Sequence, residues 1–278
     1  AQLGDHWWPS VSLLHTALGA VNDRMWALSG AGSSPTSAIG AALDFTYVGN
    51  FLKGVPAHGW DSWFPVMLAM RHMDAGGAGL YETLFFAQNV KFQYATTSLL
   101  FIEPFWALWP TNLAWPLNAL GWLAVAGTGY YVFRIAQHLI GDDRPFGGLS
   151  VVQNSLLLAA SMTAALTFYP LVQAWELGQA QTFINFFCTL SLYLFLRRRT
   201  ALSGFFLALA CLLKPQLALF VLWGLVRREW RFVAGLVVTG AVGVIAAVAR
   251  YGWHNFFAYF EVLGFLSRRG ESYYINHS

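Results

Sequence analysis

A single carboxylate, Asp61, stands between Trp60 and Trp63, and a single lysine, Lys214, stands between Leu213 and Pro215 in an apolar stretch. A carboxylate so placed can accept a proton from a hydroxyl, and a lysine in hydrocarbon is costly unless an anion such as a lipid phosphate pairs with it. Both residues also have plainer readings: Asp61 as N-cap of a helix starting at Ser62, Lys214 as a helix-end side chain snorkelling to a polar surface. Residues 172–181 form a polar island between apolar spans. Their Glu176, Gln179 and Gln181 could hydrogen-bond ligand hydroxyls or line a solvated loop. Glu103, beside Pro104 in an apolar run, reads as a paired intramembrane acid. Lys91, Arg268 and Arg269 are further cations for which solvation or headgroup contact is the default. His72, His254 and His277 lack metal-ligand spacing. We therefore expect no metal ligands and no cofactor, with a divalent ion on Asp61 left open.

These residues sit in an unusual chain. Hydrophobic residues make up 57% and charged residues 10%, which excludes an ordinary soluble globular domain. Apolar runs approaching ~20 residues point to spanning helices rather than the alternating ~10-residue strands of an outer-membrane barrel. The expected fold class is all-α and polytopic. The net charge of +3 comes from Arg clusters near helix ends, a membrane-topology feature that carries no nucleic-acid inference. Cys188 and Cys211 lie inside apolar runs and read as buried thiols. No internal repeat supports a transporter.

Residues 1–35 are mixed and suit an interfacial helix or irregular chain, and 36–52 is a weak span holding Asp44. The stretch 60–97 is the chain's most distinctive. Phe64, Met67, Leu68 and Met70 recur at helical spacing beside Arg71 and His72, which predicts a helix too short to cross and lying along the membrane surface. A break at Gly76-Gly77 follows, and Phe92-Gln93-Tyr94 leads into an apolar run, 92–110, interrupted by Glu103-Pro104. Spans are expected over 113–140, 149–169 and 183–196, the last ending in Arg197-Arg198-Arg199. Residues 201–213 and 216–226 are too short to cross singly and read as a hairpin of short helices with Lys214 at its tip. Residues 232–248 cross again, and 253–278 is an aromatic surface segment. The Arg clusters at 197–200 and 227–231 mark the cytoplasmic side, which puts Gln179, Lys214 and Tyr273 outside. With Asp61 outside as well, 92–110 must be broken or re-entrant. The chain reads as one transmembrane domain, 1–278, cut from a longer protein, with an external loop at 53–93.

The order Asp61, Leu80-Tyr81, Phe92-Gln93-Tyr94, Gly178-Gln179, Leu213-Lys214-Pro215 and 227–231 (Arg-Arg-Glu-Trp-Arg) resembles the multi-pass, polyprenyl-phosphate-sugar-dependent glycosyltransferases of family 87, in the C-type superfamily, which include α-mannosyltransferases. The resemblance covers about residues 58–278. The family commonly has Tyr-Pro-Pro where this chain has Tyr94-Ala95-Thr96, and Gly-Gln-x-Asn where it has Gly178-Gln179-Ala180-Gln181. It implies Asp61 as catalytic base, Lys214 and Lys91 as donor-phosphate ligands, and Tyr81, Gln93, Tyr94, Glu176, Gln179, Gln181 and Asn276 as substrate-binding residues. It further implies a polyprenyl-phosphate sugar donor, a lipid or glycan acceptor, membrane lipids as surroundings, and an external-face site in a bacterial inner membrane. The other reading is a non-catalytic membrane subunit that keeps this scaffold and works with partners in a membrane complex.

Overall fold

The computed structural model describes residues 63–111, 113–140 and 149–269, and there every regular element is a helix. In chain order these are α1 (Trp63–Asp74), a π-helical turn (Glu82–Ala87), α2 (Thr97–Leu108), α3 (Ala114–Leu139), α4 (Val151–Thr167), α5 (Tyr169–Glu176) and α6 (Gln181–Leu196). Then come α7 (Thr200–Leu213), a 3-10 turn (Pro215–Leu219), α8 (Phe220–Val226), α9 (Trp230–Tyr251) and α10 (Trp253–Arg269). Among the described residues, α9, at 22 residues, is the helix that combines spanning length with a strongly apolar composition. Its face carrying Val238, Val242 and Ile245 is exposed. The shorter apolar helices α2, α4, α6 and α7 run 10–17 residues.

Small residues set how the helices meet. A Cβ on Gly204 of α7 would strike the Phe232 carbonyl of α9, and one on Gly235 would strike the Ala201 carbonyl, so the two backbones lie in direct contact. Further along, Gly243 faces Leu212, which makes α7 and α9 parallel. On its other side α7 is joined to α6 by a buried reciprocal pair. Ser191 Oγ donates to the Ser203 carbonyl at 2.9 Å and Ser203 Oγ to the Ser191 carbonyl at 2.8 Å. Gly127 on α3 meets Phe186 on α6, and α4 returns antiparallel to α3, with Gln137 Nε2 donating to Asn154 Oδ1 at 2.7 Å.

The bundle therefore has two ends. One gathers the C-termini of α3, α6 and α8 and both Arg clusters. There two three-residue turns are built alike: Arg198 (φ 61°) and Arg228 (φ 57°) are left-handed. Arg198 N donates to Phe195 O and Arg199 N to Leu194 O, while Arg228 N donates to Leu225 O and Glu229 N to Gly224 O. These are Schellman caps with arginine at the position that glycine usually takes, a choice that costs about 1–2 kcal/mol each.

The other end holds the start of α6, the tip of α7 and the last turn of α9. Thr97 Oγ1, at the start of α2, donates to the Leu212 carbonyl at 2.6 Å. Six residues on, Glu103 accepts from Arg250 at 2.6 Å and from Tyr251 at 2.9 Å. Still further on, Trp106 Nε1 donates to Asp74 at 2.6 Å. Helix α2 thus begins level with the tip of α7 and runs to the end of α9. Pro104 lies within it and does not break it. Of the broken or re-entrant course expected of 92–110, the helix from Thr97 to Leu108 is unbroken, and Glu103 is a paired acid.

Three segments differ from expectation. Most of 172–181 is structured: α5 covers its first half, and α6 opens at Gln181. Residues 253–269 are a continuous helix, whose buried Asn255, Tyr259 and Val262 face the bundle. The π-helical turn follows Gly79, where φ is +73°.

Candidate functional site

Helix α7 stops because Pro215 has no N–H to continue it and its ring crowds the preceding turn. Lys214 N makes the last α-type bond, to Ala210 O at 2.8 Å, and the chain tightens into the 3-10 turn. The Leu212 carbonyl, one of those a helix end leaves open, is the one that Thr97 Oγ1 caps. Lys214 is half-buried between buried Leu213 and half-buried Leu217. Its one partner among the described residues is the neutral amide oxygen Gln181 Oε1, at 3.5 Å.

Gln181 is delivered by the Gly178 turn. Helix α5 ends in a Schellman cap, with Gly178 (φ 65°) at the left-handed position, Gly178 N donating to Trp175 O at 3.0 Å and Gln179 N to Ala174 O at 2.7 Å. The Gly-Gln pair thus reverses the chain into α6. Gln181 Nε2 donates to Asn185 Oδ1 at 2.8 Å, which turns Oε1 toward Lys214. Gln179 is half-buried beside it in sequence. Two tryptophans bracket the same end through Asn118 of α3. Trp63 Nε1 donates to its side-chain oxygen at 2.9 Å, and Trp175 Nε1 to its carbonyl at 3.3 Å. Trp63 also packs against Phe183, two residues after Gln181.

The segment before α2 supplies the remaining wall. Phe92, Ala95, Thr96 and Thr97 are buried, while Gln93 and Tyr94 are half-buried. Thr96 Oγ1 is a buried hydroxyl with no hydrogen-bond partner, and it makes no side-chain cap on α2. The N-terminus of α2 therefore brings its half-positive dipole end and a spare hydroxyl close to the tip that carries Lys214. Tyr81 has no exposed surface. It stacks on Phe92, meets Tyr259, and donates its hydroxyl to the Tyr94 carbonyl at 2.7 Å. Burial, chiefly, and the neighbouring Tyr259 hold its phenol well above the usual range, against the backbone hydrogen bond that lowers it. The Tyr81 hydroxyl thus braces the backbone at Tyr94. Asn255 works likewise, accepting from Leu80 N at 2.9 Å and donating to Tyr251 O at 2.8 Å.

The structure thus brings together Lys214, Gln181 and the Tyr94–Thr97 segment, with Gln179 at the turn leading into α6. Lys91 is exposed. Glu176 closes α5, and its side chain lies outside what the structure describes. The candidates Asp61 and Asn276 lie outside the described residues; Asp61 precedes Trp63 by two positions. Sequence reasoning passed over Thr96, Thr97 and Asn118. The run Thr96-Thr97-Ser98 before Leu99-Leu100 was a readable helix-start signal, whereas nothing local marks Asn118.

Among the described residues the chain is all-helical, and Lys214, Gln181 and the Tyr94–Thr97 segment collect at one end of the bundle. The model of glycosyltransferase family 87 matches residues 92–278. The chain belongs to that family and is, as the family implies, a glycosyltransferase. The matched stretch contains Gln93, Tyr94, Gln179, Gln181 and Lys214, with Tyr81 and Asp61 upstream of it. No curated protein and no solved structure matches the chain.

Proposed function

We propose that this glycosyltransferase moves a hexose, mannose as first candidate, from a polyprenyl-phosphate donor to a lipid or glycan acceptor on the external face of a bacterial inner membrane that the bundle spans several times. Lys214 is the observation that carries the reading: a half-buried ammonium whose partner is a neutral amide at 3.5 Å. Such a cation calls for an anion. The start of α2, which has no side-chain cap and lies beside Leu212 at the same tip, adds the positive end of a helix dipole, and helix N-termini favour phosphate. The separation of Lys214 from both Arg clusters supports an external site. The exposed apolar face of α9 supports a lipid environment.

In the reaction, Asp61 accepts the acceptor hydroxyl's proton as that oxygen bonds to the anomeric carbon. The bond from the anomeric carbon to the phosphate oxygen breaks with its electron pair, and polyprenyl phosphate leaves. Its developing charge is met by Lys214 and the α2 N-terminus. Gln93, Tyr94, Gln179 and Gln181 hold sugar hydroxyls. The test is sugar transfer from a labelled polyprenyl-phosphate donor by wild type and Asp61→Asn in nanodiscs. Asparagine caps a helix about as well as aspartate but takes no proton. The expected loss is about 10²- to 10⁴-fold in rate with donor binding retained. A fully active variant would remove Asp61 from the mechanism. A wild type idle with every polyprenyl-phosphate sugar would refute the donor assignment.

A further inference from the structure

At the Arg end of the bundle, between the C-termini of α3 and α6, lies a cavity of about 460 Å³ lined by His138, Phe195, Leu196, Arg197 and Arg198. It lies opposite the end holding Lys214, and the proposed reaction makes no use of it. We propose that this cavity binds the phosphate of an anionic membrane lipid, with Arg198 as its main ligand.

The electrostatics favour an anion. Each helix C-terminus contributes about half a negative charge, so two ends oppose an anion with about one charge, and the two guanidiniums of the lining outweigh them. The α6 end is also internally capped, with Arg197 N on Tyr193 O, Arg198 N on Phe195 O and Arg199 N on Leu194 O. Its carbonyls are occupied, while the Arg198 side chain remains available. The Arg198 guanidinium is exposed and makes no hydrogen bond or ion pair among the described residues. It stands at φ 61°, where glycine would form the same turn without a Cβ penalty. A strained arginine kept at a glycine position is the kind of outlier from which function is inferred.

The rest of the lining selects a lipid over a free phosphate. Phe195 and Leu196 form an apolar wall, and Leu139 and Ile140, which follow His138, are 72% and 58% exposed. An amphiphile can place its headgroup on the arginines and its glycerol and acyl portion along this wall, as basic pockets between membrane helices do with anionic headgroups. The inference rests on the membrane placement and is independent of the sugar chemistry.

The second hairpin supplies a control built into the chain. Arg228 has the same conformation at φ 57° and does not line the cavity. Wild type, Arg198→Gly and Arg228→Gly are purified in detergent and titrated with phosphatidylglycerol, phosphatidylcholine and inorganic phosphate, and thermal unfolding is read. Both variants relieve strain and should fold at least as well as wild type. Phosphatidylglycerol should stabilise wild type and Arg228→Gly alike, with apparent affinity roughly tenfold weaker in Arg198→Gly, as loss of one charged hydrogen bond implies. Equal weakening in both variants would reduce the effect to general surface charge and overturn the site. So would unchanged affinity in Arg198→Gly. Inorganic phosphate or phosphatidylcholine stabilising as strongly as phosphatidylglycerol would overturn the anionic-lipid assignment.

Discussion

Replacing Lys214 by Met removes the ammonium and leaves an unbranched side chain suited to the same apolar surroundings. The bond to Gln181 is at 3.5 Å, the outer limit for a hydrogen bond, so the folded state loses little. The ammonium is half-buried, and removing an underpaired charge from such a position favours folding. We expect thermal stability to stay within about 1 kcal/mol of wild type. Donor binding should behave differently, because a charge-assisted bond to phosphate is worth about 1.5–3 kcal/mol. That corresponds to roughly a ten- to hundredfold rise in Kd. The assay titrates a polyprenyl-phosphate sugar against wild type and Lys214→Met in nanodiscs, with unfolding curves taken on the same samples. Unchanged Kd in a folded variant would refute the phosphate role. Unchanged Kd with a large stability loss would instead make Lys214 a structural cap of α7.

Gly204→Ala and Gly235→Ala each push a Cβ into a facing backbone carbonyl and should destabilise by about 1–3 kcal/mol. Gly240→Ala, on α9 with Gly235, meets open space and should be neutral or stabilising, so equal unfolding temperatures for all three would refute the contact. Ser191→Ala should cost about 0.6–1.7 kcal/mol. A double-mutant cycle with Ser203→Ala should show that the two losses are not additive. Tyr259 is held neutral by burial, its pKa pushed up to about 12, while an unfolded tyrosine titrates near pH ~10. A folded-state pKa raised in this way stabilises fully below pH ~10 and less as pH climbs through 10 toward 12. Tyrosinate absorbance and unfolding measured together should show this loss, and Tyr259→Phe should diminish it.

The long apolar runs announced their helices, because in a chain so poor in charge each polar interruption marks an end. The Lys214-Pro215 break was legible for that reason, and so was the hairpin it divides. Helix α5 was not legible: eight residues of mixed polarity give periodicity too little length, and only Gly178 hinted that a helix ended there. Helix α10 was obscured by aromatics on all its faces, of which Tyr259 turns inward and Trp253 and Phe260 outward. Among the candidates, Lys214 was singled out by its cost in apolar surroundings and Gln181 by its place in a polar island, and the structure sets the two 3.5 Å apart. Tyr81, which the family resemblance put forward as a substrate contact, is fully buried. Its burial depends on Asn255 and Tyr259, more than 170 positions along the chain, a pairing that no local pattern encodes.

The shortness of α7 has a consequence for where chemistry can happen. Its 14 residues rise about 21 Å from the Arg199 turn before the Lys-Pro stop. Bilayer hydrocarbon is about 30 Å deep, so in the proposed placement Lys214 hangs some 9 Å beneath the opposite boundary. The 22-residue α9 alongside it reaches the full depth. In that placement the reacting phosphate would meet its cation at the floor of a sunken well, with α2 as one wall. A donor held by a long, flexible hydrocarbon chain can lower its head to that floor, whereas a water-soluble sugar nucleotide would have to shed its hydration to follow. Bilayer thickness would thereby set how far the donor must descend, and so act on the rate of transfer.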